Sequence, residues 1–389
     1  MNQTSVCLSH STITYVRATP VRVPGKPDSL NSPQIADEPA EFLAKFKVGR
    51  SWDDFVNQTK WILEIETRDG LRGVGETYRS VDVAEIEPAL GALLGLDVLH
   101  TNWRALPVTH PRVYDAAETA VLDLAGRLLD VPIYQLLGGA FRDRVECSGW
   151  TGRRTPQDAA RKAKEAMDRG HRVFKFKCSD NDPILDWSRE IRAVCGDGIR
   201  LLLDPNQRWN DVPTTLRLME GVPAEMMFGL EDPVDRQDYA AFREIRQRLG
   251  IPLFIHIALP YRHQGQRAED ALRAIREQCA DGFNFNGPLF DFVQLANMAA
   301  LDGKPCWRGS EVDLGILETA SLHACAAAQG CTIPSDLFGE LVRVDDLITP
   351  GIRFEQGHAL VPQGPGLGVE LDREALARYQ SGAPLEVRL

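Results

Sequence analysis

Four short apolar runs in the middle of the chain each end on a polar or charged residue. Val173-Phe174 leads into Lys175-Phe176-Lys177, residues 199–203 into Asp204, residues 226–230 into Glu231, and residues 251–255 into His256. The steps between these ends are nearly equal: 204 − 177 = 27, 231 − 204 = 27 and 256 − 231 = 25. Amphipathic stretches fill the gaps, at 156–169, 186–194, 213–220 and 239–249. Runs this short suit strands buried on both faces of a parallel sheet, and strands alternating with helices of this size predict right-handed βαβ units. A (β/α)₈ barrel spends ~250 residues on eight such units. The period therefore predicts a barrel with a lysine, two carboxylates and a histidine at the C-terminal mouth of consecutive strands, where barrel enzymes do their chemistry.

The first part of the chain follows another pattern. Residues 11–20 read as a strand, and 60–66 alternates, with Trp61, Leu63 and Ile65 on one face and Ile62, Glu64 and Glu66 on the other. Thr67-Arg68-Asp69-Gly70 turns it into residues 71–76, which predicts a hairpin. The connection 21–53, rich in Pro, Gly and charge, carries Phe42, Phe46 and Trp52. A connection this long inside a compact domain is usually functional or disordered, and it is expected to form a lid over the barrel mouth. Val113, Ala117, Ala120, Leu124 and Leu128 form the stripe of a helix packed on a core, stopped by Val131-Pro132. The barrel is expected to begin with a strand at 145–149 and to continue after the fifth strand with strands at 281–286, 304–307 and 331–334. The resulting division is a first domain over 1–140, a barrel over 141–340 and a tail from 341 that returns to the first domain.

Composition narrows the function classes. The chain has 389 residues, 43% of them hydrophobic and 25% charged, enough for a barrel and a second domain. A net charge of −11 argues against a nucleic-acid or anionic-membrane surface. With no long apolar span and a polar start, the cytoplasm is the expected location. Eight cysteines are scattered without a Cys-x-x-Cys pair, which reads as reduced and mostly buried rather than disulfide-bonded or nucleophilic.

Several motifs, in this order and spacing, resemble the mandelate racemase and muconate lactonizing enzyme group of the enolase superfamily. They are Gly73-Val74-Gly75-Glu76 closing the hairpin, the helical run from Ala120 through Gly126, Leu136-Leu137-Gly138-Gly139, Lys175-Phe176-Lys177, Asp204-Pro205-Asn206, Glu231-Asp232-Pro233, and Pro365-Gly366-Leu367-Gly368-Val369. The resemblance implies an α+β capping domain, completed by the C-terminal tail, on a modified TIM barrel, (β/α)₇β. It also implies removal of the proton beside a carboxylate, with Mg²⁺ stabilising the enediolate. A small carboxylate-bearing substrate is then expected, with no nucleic-acid or membrane partner, and a homo-oligomer by family analogy.

By the same resemblance Lys177 is the general base, Lys175 its neighbour, and Asp204 and Glu231 the first two metal ligands. Two lysines at i and i+2 face the same side of a strand, so each is expected to depress the other's pKa. Three positions depart from the family's pattern. His256 stands where the third, acidic metal ligand belongs: it is either a ligand, favouring Mn²⁺ or another transition metal, or an acid/base group. Asn286 replaces a lysine on strand six. Trp307-Arg308-Gly309-Ser310-Glu311 on strand seven lacks the racemase-type histidine. Asn206, Asn286, Arg308, Glu311 and Trp52 are expected to bind substrate, Arg308 an anionic group, with Glu311 as the carboxylate near the last strands. A racemase needs a base on each face of the carbon, whereas one lysine suffices for syn elimination of water with His256, Tyr261 or His263 as acid. The leading expectation is a metal-dependent lyase dehydrating a small hydroxy or sugar acid. The alternatives are an epimerase, racemase or cycloisomerase, and a non-catalytic acid-binding relative.

Overall fold

The computed structural model describes residues 9–35, 57–259 and 268–389. The hairpin expected from alternation is present: strands β1 (Ile13–Val21), β2 (Lys60–Thr67) and β3 (Arg72–Glu76) form an antiparallel sheet. The alternation of β2 decides its packing. Trp61, Leu63 and Ile65 join Ile13 and Val16 in a core under helices α1 (Val83–Leu93) and α2 (Pro111–Leu129), while Ile62 points into the larger core shared with the barrel. Helix α2 opens with Pro111, which gives up no needed donor there, and ends at Asp130 in the left-handed conformation, φ 56°.

Sheet and helix touch backbone to backbone. A Cβ placed on Gly73 would lie 2.2 Å from the Ala120 carbonyl oxygen, and one on Gly75 1.9 Å from that of Ala116. The Gly-x-Gly of β3 is thus a packing requirement of α2. The tail closes the domain, since strand 385–388 pairs antiparallel with β1, and Asp123 of α2 accepts the Leu367 and Val74 amides at 2.8 and 3.0 Å.

The barrel sheet has seven parallel strands hydrogen-bonded in sequence: β4 (Gly149–Thr151), β5 (Val173–Lys177), β6 (Arg200–Asp204), β7 (Met227–Glu231), β8 (Leu253–Ala258), β9 (Gly282–Asn286) and β10 (Cys306–Arg308). The helices between them include α3 (Pro156–Asp168), α4 (Ile184–Cys195), α5 (Val212–Met219), α6 (Tyr239–Leu249), α7 (Ala268–Arg276) and α8 (Leu289–Leu301). Helix α9 (Gly315–Ala327) follows β10. Asp211 and Asp238 cap α5 and α6 through the Thr214 and Ala241 amides, satisfying donors that a helix start leaves unpaired.

Two expected strands differ. The run at 145–149 splits: Arg144–Glu146 pairs antiparallel with His358–Leu360, and the barrel strand begins only at Gly149. The cause is the tail, whose Gly357 carbonyl takes the Cys147 amide at 2.8 Å. The eighth position is filled by a segment attached through two bridges, Cys306 with Cys331 and Cys147 with Ser335. The seven cysteines among the described residues are free and buried. No helix among the described residues is long and apolar enough to cross a membrane.

Of the connection expected to form a lid, residues 21–35 are described and lie against the barrel. Asp28 is held by Arg154 at 2.6 Å, Arg161 at 2.7 Å and Lys162 at 3.1 Å, and Leu30 packs with Trp150. Phe42, Phe46 and Trp52 lie outside the described residues.

The close approach of β3 to α2 makes a paired prediction. Gly75→Ala must push the sheet off the helix and is expected to lower stability by ~1–3 kcal/mol. Gly91→Ala, in the open on α1 with nothing within 4 Å, is expected to raise it by ~0.5–1 kcal/mol. Urea unfolding of the two variants measures both, and equal effects would refute the packing explanation.

Candidate active site

On a strand, alternate residues share a face, and this places the polar groups in tiers above a dry floor. Val173, Leu202, Phe254 and Trp307 close the barrel interior, with Phe228 and Ile333 packed against them. Two residues beyond Val173 on the same face comes Lys175, and two beyond that Lys177. The outward Phe176 stacks on Trp187 of α4 at 5.2 Å, which holds β5 in this register.

Lys175 is the hub of the lower tier. Its Nζ lies 2.6 Å from Glu231 Oε2, 2.7 Å from Asp336 Oδ2 and 3.2 Å from Asp204 Oδ2, with the Trp307 ring 5.6 Å away. Burial alone would lower its pKa, but Asp336, Glu231 and Asp204 outweigh burial and raise it well above the ordinary value. This corrects the expectation of a depressed pair: the charges nearest Lys175 are carboxylates, not Lys177. Asp336 was missed in the sequence. It follows the apolar eighth segment as Pro334-Ser335-Asp336, the same run-then-carboxylate signal that marked Asp204 and Glu231. Ser148 Oγ and Trp307 Nε1 each donate to it at 3.2 Å.

Lys177 reaches higher, with 14% of its side chain exposed against 3% for Lys175. Its Nζ lies 2.5 Å from Asp204 Oδ2 and donates to Asn206 Oδ1 at 2.8 Å. Asn206 is placed by a left-handed turn (φ 47°) whose amide returns to Asp204 Oδ1 at 3.1 Å. Burial would raise the Asp204 pKa, but Lys177 and Lys175 hold it well below the carboxylate range. In this structure Asp204 is thus turned to the two lysines. Glu231 has the opposite fate: burial, then the charge of Asp204, push it up to about 8. The two lysines thus keep Asp204 ionised, while its charge and burial leave Glu231 protonated.

His256 sits beside Glu231, Nδ1 to Oε1 3.7 Å, and its backbone amide donates to Asp232 Oδ1 at 3.0 Å. Burial, then the positive charges of Arg236 and Lys175, hold its pKa well below the usual value, so the ring is neutral. Its Nε2 is buried without a hydrogen-bond partner among the described residues. Ligand atoms of Glu231, Asp232 and His256 lie within 4.8 Å of one another, although both Asp232 oxygens are engaged, one by His256 and one by Arg236 at 2.6 Å.

The charge count bears on a cation. Asp204, Glu231, Asp232 and Asp336, when ionised, face Lys175, Lys177 and Arg236, and 3 − 4 leaves one negative charge with His256 neutral. Near neutral pH the proton that Glu231 keeps cancels this surplus, so a carboxyl group that a cation could deprotonate, beside an unpartnered imidazole nitrogen, fits a divalent metal ion. An imidazole among carboxylates suits Mn²⁺ or a later transition metal better than Mg²⁺.

The remaining candidates divide. Asn286 and Glu311 meet, Nδ2 to Oε1 3.2 Å, and Glu311 also pairs with Arg79 from the capping domain. Arg308 does not enter the site. It has the outward parity on β10, where its Nε donates to Ser321 Oγ at 3.2 Å and its guanidinium lies 5.0 Å from the Phe292 ring centre. Tyr261, His263 and Trp52 fall outside the described residues.

Comparison with known proteins identifies the family and the fold. The family model for enolase C-terminal domain-like proteins matches residues 158–375. Muconate cycloisomerase 1 of Pseudomonas putida is 27% identical over 349 residues, covering 83% of this chain and 90% of that protein. N-succinyl-L-Arg/Lys racemase of Bacillus cereus is 24% identical over 348 residues, covering 84% and 91%. In fold, the crystal structure of the Bacillus cereus racemase superposes with a TM-score of 0.79 at 21% identity over 97% of this chain and 100% of that one.

The raised Glu231 pKa has a testable sign. Between 4.5 and about 8 the folded state keeps a proton that the unfolded chain has lost, so stability falls as pH rises through that window. Asp115, pushed up to about 7, and Glu118, up to about 8, act in the same direction. The neutral His256 and His323 act oppositely, but only below 6.5. Metal-free protein is therefore expected to lose stability between about pH 6.5 and 8, and Glu231→Gln to lose less. Urea unfolding at a series of pH values decides; parallel curves for the two proteins would refute the assignment.

Proposed function

Because this chain belongs to the enolase C-terminal domain-like family, in the mandelate racemase and muconate lactonizing enzyme group of the enolase superfamily, we propose that it removes the proton beside the carboxylate of a small acid, with Lys177 as the only base. A divalent cation held by Glu231 and His256 would supply the charge that offsets the dianion formed when that proton leaves. All other steps fall to the side chains.

The observation that carries the reading is the contrast between opposite walls. Lys177 ends β5, the second place in a ring of eight, and the sixth place, directly across, ends in the carboxamide of Asn286. An amide neither takes nor gives a proton at neutral pH, and Glu311, the nearest carboxylate there, is tied to Arg79. Among the described residues, these groups favour proton transfer on the Lys177 face.

Single-face chemistry favours elimination over racemisation. Lys177, in its unprotonated form, takes the α-proton; the C–H bond breaks and an N–H bond forms. The ammonium then gives that proton to a hydroxyl leaving from the next carbon on the same face, and water departs as the double bond forms. Asp204, 2.5 Å from Nζ, stabilises the ammonium between the two transfers. A ring-closing isomerisation is the second reading. It uses the same base in the reverse sense, and relatives named muconate cycloisomerase favour it.

Incubating the protein and Mn²⁺ with a panel of hydroxy acids in D₂O and following α-hydrogen loss by NMR tests this. The expected result is loss from one enantiomer without interconversion, reduced by ~10²–10⁴-fold or more in Lys177→Met. Interconversion of enantiomers, or undiminished exchange in Lys177→Met, would overturn the single-base reading.

A further inference from the structure

Strand β9 presents two carboxamides to the barrel interior, Asn284 and Asn286, while Phe283 and Phe285 stack on its outer side with ring centres 5.1 Å apart. Both amides are clamped through nitrogen. Asn284 Nδ2 donates to Glu231 Oε1 at 2.7 Å, and Asn286 Nδ2 donates to Glu311 Oε1 at 3.2 Å. A carboxylate can only accept, so Glu311 fixes which end of the Asn286 amide faces it. Glu311 is itself fixed, because Arg79 pairs with its other oxygen.

The consequence is an acceptor with nothing to accept from. Asn286 is fully buried, and its Oδ1 has no hydrogen-bond partner among the described residues; the same holds for Asn284 Oδ1. Gly309 packs directly against the first of them: a Cβ there would lie 2.4 Å from Asn284 Oδ1 and displace that amide. Buried carbonyls are rarely left unpaired, and here two on one strand have no partner among the described residues, while each Nδ2 gives one of its two N–H groups to a carboxylate. The two unpaired oxygens recognise an O–H or N–H group.

Resting on the proton abstraction proposed above, we infer that Asn286 Oδ1 receives a hydrogen-bond donor carried by the reacting carbon itself. When the α-hydrogen points to Lys177, the other substituents of that carbon point away from β5, and β9 lies across the barrel. The substrate class is thus acids with a free α-hydroxyl or α-N–H, above all 2,3-dihydroxy acids, whose α-hydroxyl is held while the β-hydroxyl leaves. Arg79 and Glu311 are positioning residues: they touch the amide, or its partner, and set its direction.

The experiment uses α-hydrogen exchange in D₂O with matched probes: glycerate against its 2-O-methyl ether, and N-acetylalanine against N-acetyl-N-methylalanine. Wild-type protein is expected to discriminate against the methylated member of the accepted pair by ~10–100-fold, the consequence of leaving a buried acceptor unpaired. In Asn286→Leu and Asn286→Ser that ratio should collapse toward one, and in Glu311→Gln, where the amide loses its fixed direction, it should fall with KM rising more than kcat. Because the ratio is taken within one protein, partial misfolding of a variant does not alter it. Which pair responds distinguishes the hydroxyl from the N–H. Equal ratios in wild type and Asn286→Leu, or exchange confined to acids lacking an α-donor, would overturn the inference while leaving proton abstraction standing. Exchange with no acid of either kind would instead overturn the proton abstraction on which the inference rests.

Discussion

A single buried ammonium organises the barrel mouth. Lys175 stands on a closed apolar floor and touches carboxylates from β6, β7 and the eighth segment. Buried carboxylates survive only with a partner close at hand, so the convergence of these parts of the barrel depends on that contact. Its stoichiometry has consequences. One ammonium cannot neutralise three acids, so Glu231 keeps its proton up to about 8 while Asp204 is held ionised by both lysines. His256, buried and flanked by Arg236 and Lys175, stays neutral and keeps a lone pair on one ring nitrogen.

The capping domain extends the same logic over the rim. The end of its hairpin supplies Glu76, which accepts the Leu314 and Leu317 amides at 2.7 and 2.9 Å at the start of α9 and pairs with the buried Lys60 at 2.6 Å. Two residues further Tyr78 accepts the Gly287 amide at 3.2 Å, and Arg79 then grips Glu311. Glu118 of α2 accepts the Leu289 and Phe290 amides that open α8. The loops after β9 and β10 are therefore set by residues from outside the barrel, which is how a strand-six amide comes to have a fixed direction.

Legibility in the sequence followed regularity. The even spacing of Lys177, Asp204, Glu231 and His256 placed the first three at the ends of their strands, because each belongs to a complete strand and helix unit, whereas His256 lies two residues inside a strand that runs on to Ala258. Asp336 escaped notice because its segment is attached by bridges rather than a ladder, and the carboxylate was sought at Glu311 instead. Arg308 was assigned to the wrong side, since the three-residue strand Cys306–Arg308 is too short for its alternation to be read. The pKa of Lys175 was expected to move the wrong way because spacing along one strand reveals a neighbouring lysine but not three acids arriving from other strands. The argument for a single base was legible in part, from Asn286 and the missing strand-seven histidine; that Asn286 ends the strand across the barrel from Lys177 is a relation that sequence order does not state.

The central claim, which we propose, is that this cluster, with a proton on Glu231 and no partner for His256 Nε2 among the described residues, takes a divalent cation at Glu231 and His256 in place of that proton. Calorimetric titration of metal-free protein with Mn²⁺ near pH 7, in two buffers of different ionisation enthalpy, tests it without any need for a substrate. The expected result is one ion per chain with release of about one proton, since Glu231 is still largely protonated there, binding weakened in His256→Ala, and no proton release in Glu231→Gln. Absence of binding, or identical titrations for wild type and both variants, would contradict it.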